Sequence, residues 1–353
     1  MHTQLVHRSA VCPRRLKASA KLILALLLVT VFVFSIVVGR YPITIPELLS
    51  TVYSYFFGSS MGHSENLETV IFNVRLPRVI TAMVVGAALS IAGASYQGMF
   101  KNPLVSPDIL GASAGAGFGA ALAILFSLSV FMIQLSAFVW GALAVMLVYL
   151  INTKLINTKL NYEPTLGLVL SGILISSLFS SGTAAIKYIA DANDKLPEIT
   201  FWLMGSLSAV DKRDLLNIIF PMVAGFLLLF LVRWRINILA FGEEEARALG
   251  INTQRLRMII ILGSTLITAA SVSVSGMIGW VGLVIPHLAR AVAGPNYETL
   301  IPVTFIIGAS YLLLVDDLAR CLGAVEVPLG ILTSLLGVPV FLIVLRKNIA
   351  GWR

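Results

Sequence analysis

The sequence predicts an all-α polytopic membrane protein with about ten transmembrane helices and both termini on the cytoplasmic side. Three observations carry this. First, 58% of the 353 residues are apolar or aromatic and only 12% are charged, against about 25% charged in a soluble domain. Second, the mean hydropathy of +0.93 is spread along the whole length, which excludes a soluble enzyme, a disordered chain and a protein with a single anchor. Third, the charges cut the apolar sequence into pieces near the ~20 residues that a membrane crossing needs.

The pieces follow in order. Residues 22–39 form the first span and residues 79–100 the second. Residues 109–153 carry no charge and are too long for one helix at ~1.5 Å per residue, so they are expected to turn once, near Ser127–Ser129. Residues 164–186 are the fifth span and 215–232 the sixth. Residues 258–289 are uncharged, but 271–282, SVSVSGMIGWVG, is a poor helix interior. A break there gives the seventh and eighth spans. Residues 299–315 and 327–345 complete ten. The basic start before Leu22 has the look of a secretory leader. Its apolar region is too long and its end lacks a small-x-small site, so it is read as a retained first helix.

Charge tests this topology. An even number of spans places both termini, 101–108, 154–163, 233–257 and 287–298 on one side. That side holds 17 Lys and Arg against 6 acids, and the other 8 against 11. The basic side is the cytoplasmic one. The whole chain, 1–353, reads as one transmembrane domain, with 1–21 a cytoplasmic N-terminal segment and 233–257 a cytoplasmic loop.

Four segments outside the spans are too structured for plain connectors. Outside, Pro42, Pro46 and the glycines at 58–62 break residues 40–78 into short pieces ending in Arg75-Leu76-Pro77-Arg78. Arginines on the wrong side for the charge rule either snorkel to headgroups or make bidentate pairs with an acidic partner. On the cytoplasmic side, two prolines stop a helix within 101–108, after which Gly111, Gly115, Gly117 and Gly119 give a face that lets helices approach closely. Within 233–257, Gly242-Glu243-Glu244-Glu245-Ala246-Arg247-Ala248-Leu249-Gly250 reads as a short helix with acids at its positive end and Gly250 as its αL cap. So short a helix needs a surface to lie on, either its own spans or a cytoplasmic partner. Outside again, 187–214 contains a short amphipathic element over 198–206, with Phe201 and Trp202 suited to the interface.

Together these segments resemble the permease subunits of ABC importers for iron chelates, haem and vitamin B12, over nearly the whole chain. The matching stretches are RLPR (75–78), KNPLVSPDILGASAGAG (101–117), FWLMGSL (201–207), GEEEARALG (242–250), GLVIPHLAR (282–290) and VPLGILTSLLGVPVFLIVL (327–345). The resemblance implies the type II permease fold in a bacterial cytoplasmic (inner) membrane. It implies a second permease copy or paralogue, two cytoplasmic ATPases that bind the ATP and Mg, and one extracytoplasmic binding protein. It further implies that Arg75, Arg78 and Arg320 receive acidic residues of that binding protein, and that residues 242–250 lie in an ATPase groove. Asn102, Leu104 and Thr165 would stand at the cytoplasmic gate. The pathway would follow the fifth span, where Ser171, Ser176, Ser177, Ser180, Ser181 and Thr183 make a hydroxyl-rich wall.

The implied function is ATP-driven import of a metal chelate (iron-siderophore, haem or corrinoid) by alternating access. The rival reading is an ion-coupled secondary transporter, which needs ionisable residues at mid-membrane; within the ten spans the acids and bases fall at the ends. The chain contains no G-x-x-x-x-G-K-[ST], so it is expected to be neither an enzyme nor a nucleotide binder. Cys12 and Cys321 lack metal-ligand spacing, the lone His287 is read as structural, and no metal, cofactor or nucleic acid is expected on this chain. Membrane lipid is its solvent.

Overall fold

The computed structural model describes residues 18–57, 65–156, 164–323 and 325–350. The described residues are helical with short connections. In chain order the helices are α1 (Ala18–Val37), α2 (Ile45–Phe57), α3 (Glu65–Thr69), α4 (Leu76–Met99), α5 (Ala112–Leu125), α6 (Val130–Ile151), α7 (Pro164–Ile189), α8 (Lys195–Met204), α9 (Lys212–Phe241), α10 (Glu243–Ala248), α11 (Thr253–Ser275), α12 (Val281–Ala293), α13 (Tyr297–Cys321) and α14 (Leu329–Ala350). A π-helical turn, Val70–Arg75, joins α3 to α4, and a 3₁₀ turn, Pro107–Leu110, precedes α5. Among the described residues seven helical stretches are long and apolar enough to cross a membrane; three shorter apolar helices, Ala112–Leu125, Val281–Ala293 and Leu329–Ile343, lie where further spans are expected.

The expected turn falls where the sequence places it. Ser127 has φ +54° and the Ser129 side chain caps α6 by accepting from Met132 N–H. Elsewhere helices outrun the charge boundaries. The sixth span extends to Phe241, and the ninth continues past Val315 through Asp316, Asp317 and Arg320. The 258–289 stretch does break, but the SVSVS run is helical to Ser275 and the break occupies only residues 276–280. There the serine hydroxyls donate back to carbonyls of the preceding turn, Ser271 to Ile267 (2.7 Å) and Ser275 to Ser271 (2.8 Å). A polar side chain satisfied in this way is compatible with a buried helix.

α4 and α11 form the centre and are buried along most of their length. Both are rich in Gly, Ala, Ser and Thr, and close backbone approach, not hydrophobic exclusion, is what joins helices in lipid. α4 meets α13 glycine to glycine, Gly86 against Gly308, and meets α12 at Gly93 against Gly282. The irregular backbone pieces satisfy one another. Ser206 N–H donates to Ser275 C=O (2.8 Å) and Leu329 N–H to Gly205 C=O (2.9 Å), so the three breaks after α8, after α11 and before α14 form one hydrogen-bonded junction.

Candidate functional site

At the end of the bundle opposite the N-terminal end of α1, three arginines and three carboxylates share one buried cluster. Arg78 lies on α4, where its guanidinium holds Asp316 through Nε (3.0 and 3.1 Å) and Nη2 (2.9 Å), and Glu326 through Nη1 (3.0 Å) and Nη2 (2.8 Å). Arg320 lies one turn beyond Asp316 on α13; its Nε is 3.3 Å from Asp316 and its Nη2 bonds Asp317. Such i, i+3 and i, i+4 spacing brings opposite charges together on a helix face. Asp317 also accepts from Ser35 Oγ (2.5 Å), and Arg320 donates to Ser35 C=O (3.2 Å), which fastens α1 to α13. Arg75 donates to the carbonyls of Ile36, Val37 and Tyr41. It thus caps the C-terminal end of α1, where the helix dipole favours a cation. Burial alone would push the Glu326 carboxyl up, but its bonds to Arg78 and the nearby arginine charges hold it below its ordinary value.

Arg75, Arg78 and Arg320 are only 5–7% exposed. Within this chain Arg75 and Arg78 are already engaged, Arg75 by backbone carbonyls and Arg78 by Asp316 and Glu326, which neither sequence reading includes. Sequence reasoning missed Asp316, Asp317 and Glu326. The signal was available: two adjacent acids followed at i+3 and i+4 by an arginine.

At the other end, the loop after α4 is pinned from three directions. Lys101 leaves the helix with φ +50°, and Asn102 Oδ1 accepts from Leu104 N–H (2.9 Å). His287 Nε2–H donates to Pro103 C=O (2.9 Å), which gives this histidine a structural task. Gln97 donates to Val105 C=O (3.2 Å) and accepts from Arg290 (2.6 Å). Asn102 and Leu104 are exposed at the tip of this braced loop, and Thr165 stands half-buried at the second residue of α7. Gln97 was not singled out in the sequence, although it is a lone amide in an apolar span.

α7 presents a broad exposed face. Of the three hydroxyls assigned to the pathway, only Ser180 is exposed; Ser176 and Thr183 are half-buried. Ser176 packs against Gly111, where a Cβ would stand 3.0 Å from its Oγ, and Thr183 Oγ1 donates to Phe179 C=O (2.9 Å). Ser177 and Ser181 are the exposed neighbours of Ser180.

The 242–250 helix is present as α10. Ile251 N–H donates to Ala246 C=O (3.0 Å) and Gly250 N–H to Arg247 C=O (2.9 Å), with Gly250 at φ +76°. This is a Schellman cap. Ala246 is fully buried, so α10 does lie on its own helices. Leu249 is 68% exposed, and Glu244, Glu245, Arg247 and Ala248 are exposed beside it. The side chain of Glu243 lies outside the described residues. Among the described residues no group of three or more His, Cys, Asp or Glu could hold a metal ion.

The model of the FecCD transport family matches residues 26–347. The chain belongs to the FecCD transport family. It is an ABC importer permease, a transport subunit and not an ATPase, in a family of multi-pass membrane proteins whose permeases work with ATPase and binding-protein partners. Similar FecCD proteins carry different cargo names. The molybdate import system permease protein MolB of Haemophilus influenzae is 40% identical over 324 residues, 92% of this chain and 94% of the relative. A probable iron chelatin transport system permease protein of Helicobacter pylori is 41% identical over 289 residues, 81% of this chain and 86% of the relative. The cobalamin import system permease protein BtuC of Halobacterium salinarum is 37% identical over 288 residues, 81% of this chain and 76% of the relative. A solved inward-facing metal-chelate type ABC transporter superposes with a TM-score of 0.84 at 39% identity, covering 94% of this chain and all of that one.

Proposed function

We propose that this FecCD chain spans a bacterial cytoplasmic membrane ten times with both termini inside, as a single domain over residues 1–353. Paired with a second copy or paralogue, two ATPases and one binding protein, it moves a metal chelate inward by alternating access. ATP and Mg belong to the ATPases. The observation that carries this reading is α10: a capped helix anchored through Ala246, joined directly to the long helices α9 and α11, and offering Leu249 to a neighbour. A groove that grips Leu249 moves both helices together. A secondary transporter needs ionisable residues near mid-membrane, whereas this charge cluster lies at one end of the bundle, beside the C-terminal end of α1.

The MolB likeness favours a second cargo reading, an oxometalate. Uptake of a labelled ferric chelate and of molybdate by proteoliposomes, each with the binding protein supplied, separates the two. The docking role implied for Arg75, Arg78 and Arg320 is proposed in a changed form. An incoming acid exchanges with a carboxylate already in place, and Glu326, whose side chain is 26% exposed, is the accessible one on Arg78.

Leu249→Glu tests the coupling role. Removing an interface anchor weakens a contact by about 2 kcal/mol, roughly thirtyfold, so substrate-stimulated ATP hydrolysis and uptake should both collapse while the permease melts normally. Ala246→Glu buries a charge and should lower the melting temperature as well. Retained uptake with Leu249→Glu would put the ATPase contact elsewhere.

For the pathway, Ser180→Cys should react with a water-soluble maleimide in one nucleotide state and be protected in another. Ser176→Cys, facing Gly111, should react more slowly in every state. Equal labelling of Ser180→Cys in all states removes α7 from the path.

A further inference from the structure

The helix α2 has three faces, and only two of them have an obvious neighbour. On the first, Leu48 and Thr51 are buried and Val52 is half-buried. This side packs with Ile43, Leu67, Ile71 and Phe72 in the core next to the arginine cluster, and Tyr55 stacks on Phe72 at 4.0 Å. On the second, Glu47, Ser50 and Ser54 form a narrow polar strip. Glu47 is the only charge on the helix, and its carboxylate accepts from the N–H and hydroxyl of Thr44, both at 2.7 Å. The third face carries Ile45, Leu49, Tyr53 and Phe57, which are 58%, 65%, 54% and 71% exposed. Their i, i+4 spacing makes one continuous stripe of about 18 Å at ~1.5 Å per residue, and Tyr53 stacks on Phe57 at 4.7 Å.

A large exposed apolar stripe next to a polar strip marks a surface that is covered in the working state. We propose that the stripe is covered by lipid: α2 lies along the membrane interface, in the leaflet opposite the N-terminal end of α1, wedged between protein, acyl chains and water. Three observations favour lipid over a protein partner. α1, the helix just before α2 in the chain, is long and apolar enough to cross a membrane and exposes Val29, Val33 and Phe34 (59%, 40% and 49%), and Tyr41 between the two helices is 45% exposed. The face carries no charge that could orient a protein contact. Its aromatic residues gather at one end, as in interfacial belts. Because Arg75 holds the Tyr41 carbonyl and the end of α1, an anchor at α2 also fixes the depth of the buried charge cluster. The inference rests on α1 being a membrane span; the cargo has no bearing on it.

The test uses the full chain in lipid nanodiscs, with Cys12 and Cys321 replaced by serine. A nitroxide is attached at one cysteine at a time: in place of Ile45, Leu49, Tyr53 or Phe57 on the stripe, of Glu47, Ser50 or Ser54 on the polar strip, and of Leu26 or Val29 on α1. Collision with oxygen reports lipid and collision with a water-soluble nickel chelate reports water. The stripe should give oxygen-to-nickel ratios several-fold above the polar strip and close to those of α1. If the α1 labels read lipid while the stripe reads water, the inference fails and the membrane reading of α1 stands. A stripe that reads water until a soluble extracytoplasmic protein is added, and is shielded only then, overturns it in favour of a protein-docking face. If the α1 labels also read water, the span assignment itself fails.

Discussion

Arg78→Ala should destabilise the chain by about 3–5 kcal/mol, the loss that follows when one partner of a buried pair is removed. Asp316 is fully buried, and Arg78 supplies its close bidentate contact while Arg320 stands farther off at 3.3 Å. Without Arg78 the cluster holds a surplus carboxylate, and Glu326 loses its bonds as well. Arg78→Lys should fall between, since an ammonium cannot reproduce the planar fork that serves two carboxylates at once. Arg78→Met with Asp316→Leu removes both charges together and should recover much of the loss, because apolar replacement of a whole buried pair is often neutral. Thermal unfolding in one detergent, followed by a thiol-independent probe, reads all three. A melting point for Arg78→Ala equal to that of the parent would reduce these contacts to the value of surface bridges, about 0–1 kcal/mol. The cluster also sets a pH dependence. The folded-state value of Glu326 lies below its ordinary 4.5, so its contribution is complete above that value and is lost as the pH falls through the depressed one.

Gly93→Val should be as damaging, for a steric reason. A Cβ at Gly93 would overlap the Gly282 carbonyl, and one at Gly86 would overlap the Gly308 carbonyl. Backbone cannot step aside as a side chain can. Overpacking a core costs about 1–3 kcal/mol where side chains yield, and here the whole α4–α12 contact must open, out of a total stability of about 5–15 kcal/mol. Little monodisperse protein should be recovered by size-exclusion chromatography. Gly279→Ala is the control, since nothing lies within 4 Å of its added Cβ; it should leave yield and melting point unchanged. Normal recovery of Gly93→Val would mean that α4 and α12 do not touch here.

The sequence reports the helices better than it reports what they bury. Charge positions located the long apolar helices, though not their ends, because charge is costly in lipid, and Ser127–Ser129 and Gly250 were readable because turns and caps have local chemistry. The helix through Ser271, Ser273 and Ser275 was not readable, since local propensity disfavours it and only tight packing, with each hydroxyl satisfied by a preceding carbonyl, sustains it. The arginines at 75, 78 and 320 looked like surface groups for a related reason. Their partners are far away in sequence, and a positive charge at a span end looks the same whether it faces water or Asp316. The hydroxyls proposed for the pathway divided for want of a rotational setting. Ser176, Ser180 and Thr183 lie near one edge of α7, and packing decides which of them is covered, against Gly111 in the case of Ser176.

The charge cluster also constrains how the protein is made. Arg78 and Asp316 are 238 residues apart in the chain. A ribosome adding about 5–20 residues per second needs roughly 10–50 s to cover that distance. During that interval α4 already carries its guanidinium, and the carboxylate that neutralises it has not been synthesised. The early part of the chain therefore waits with an arginine whose acidic partners, Asp316 and Glu326, do not yet exist. The bundle closes only when α13 arrives. Translation speed in the stretch before residue 316 then sets how long that interval lasts.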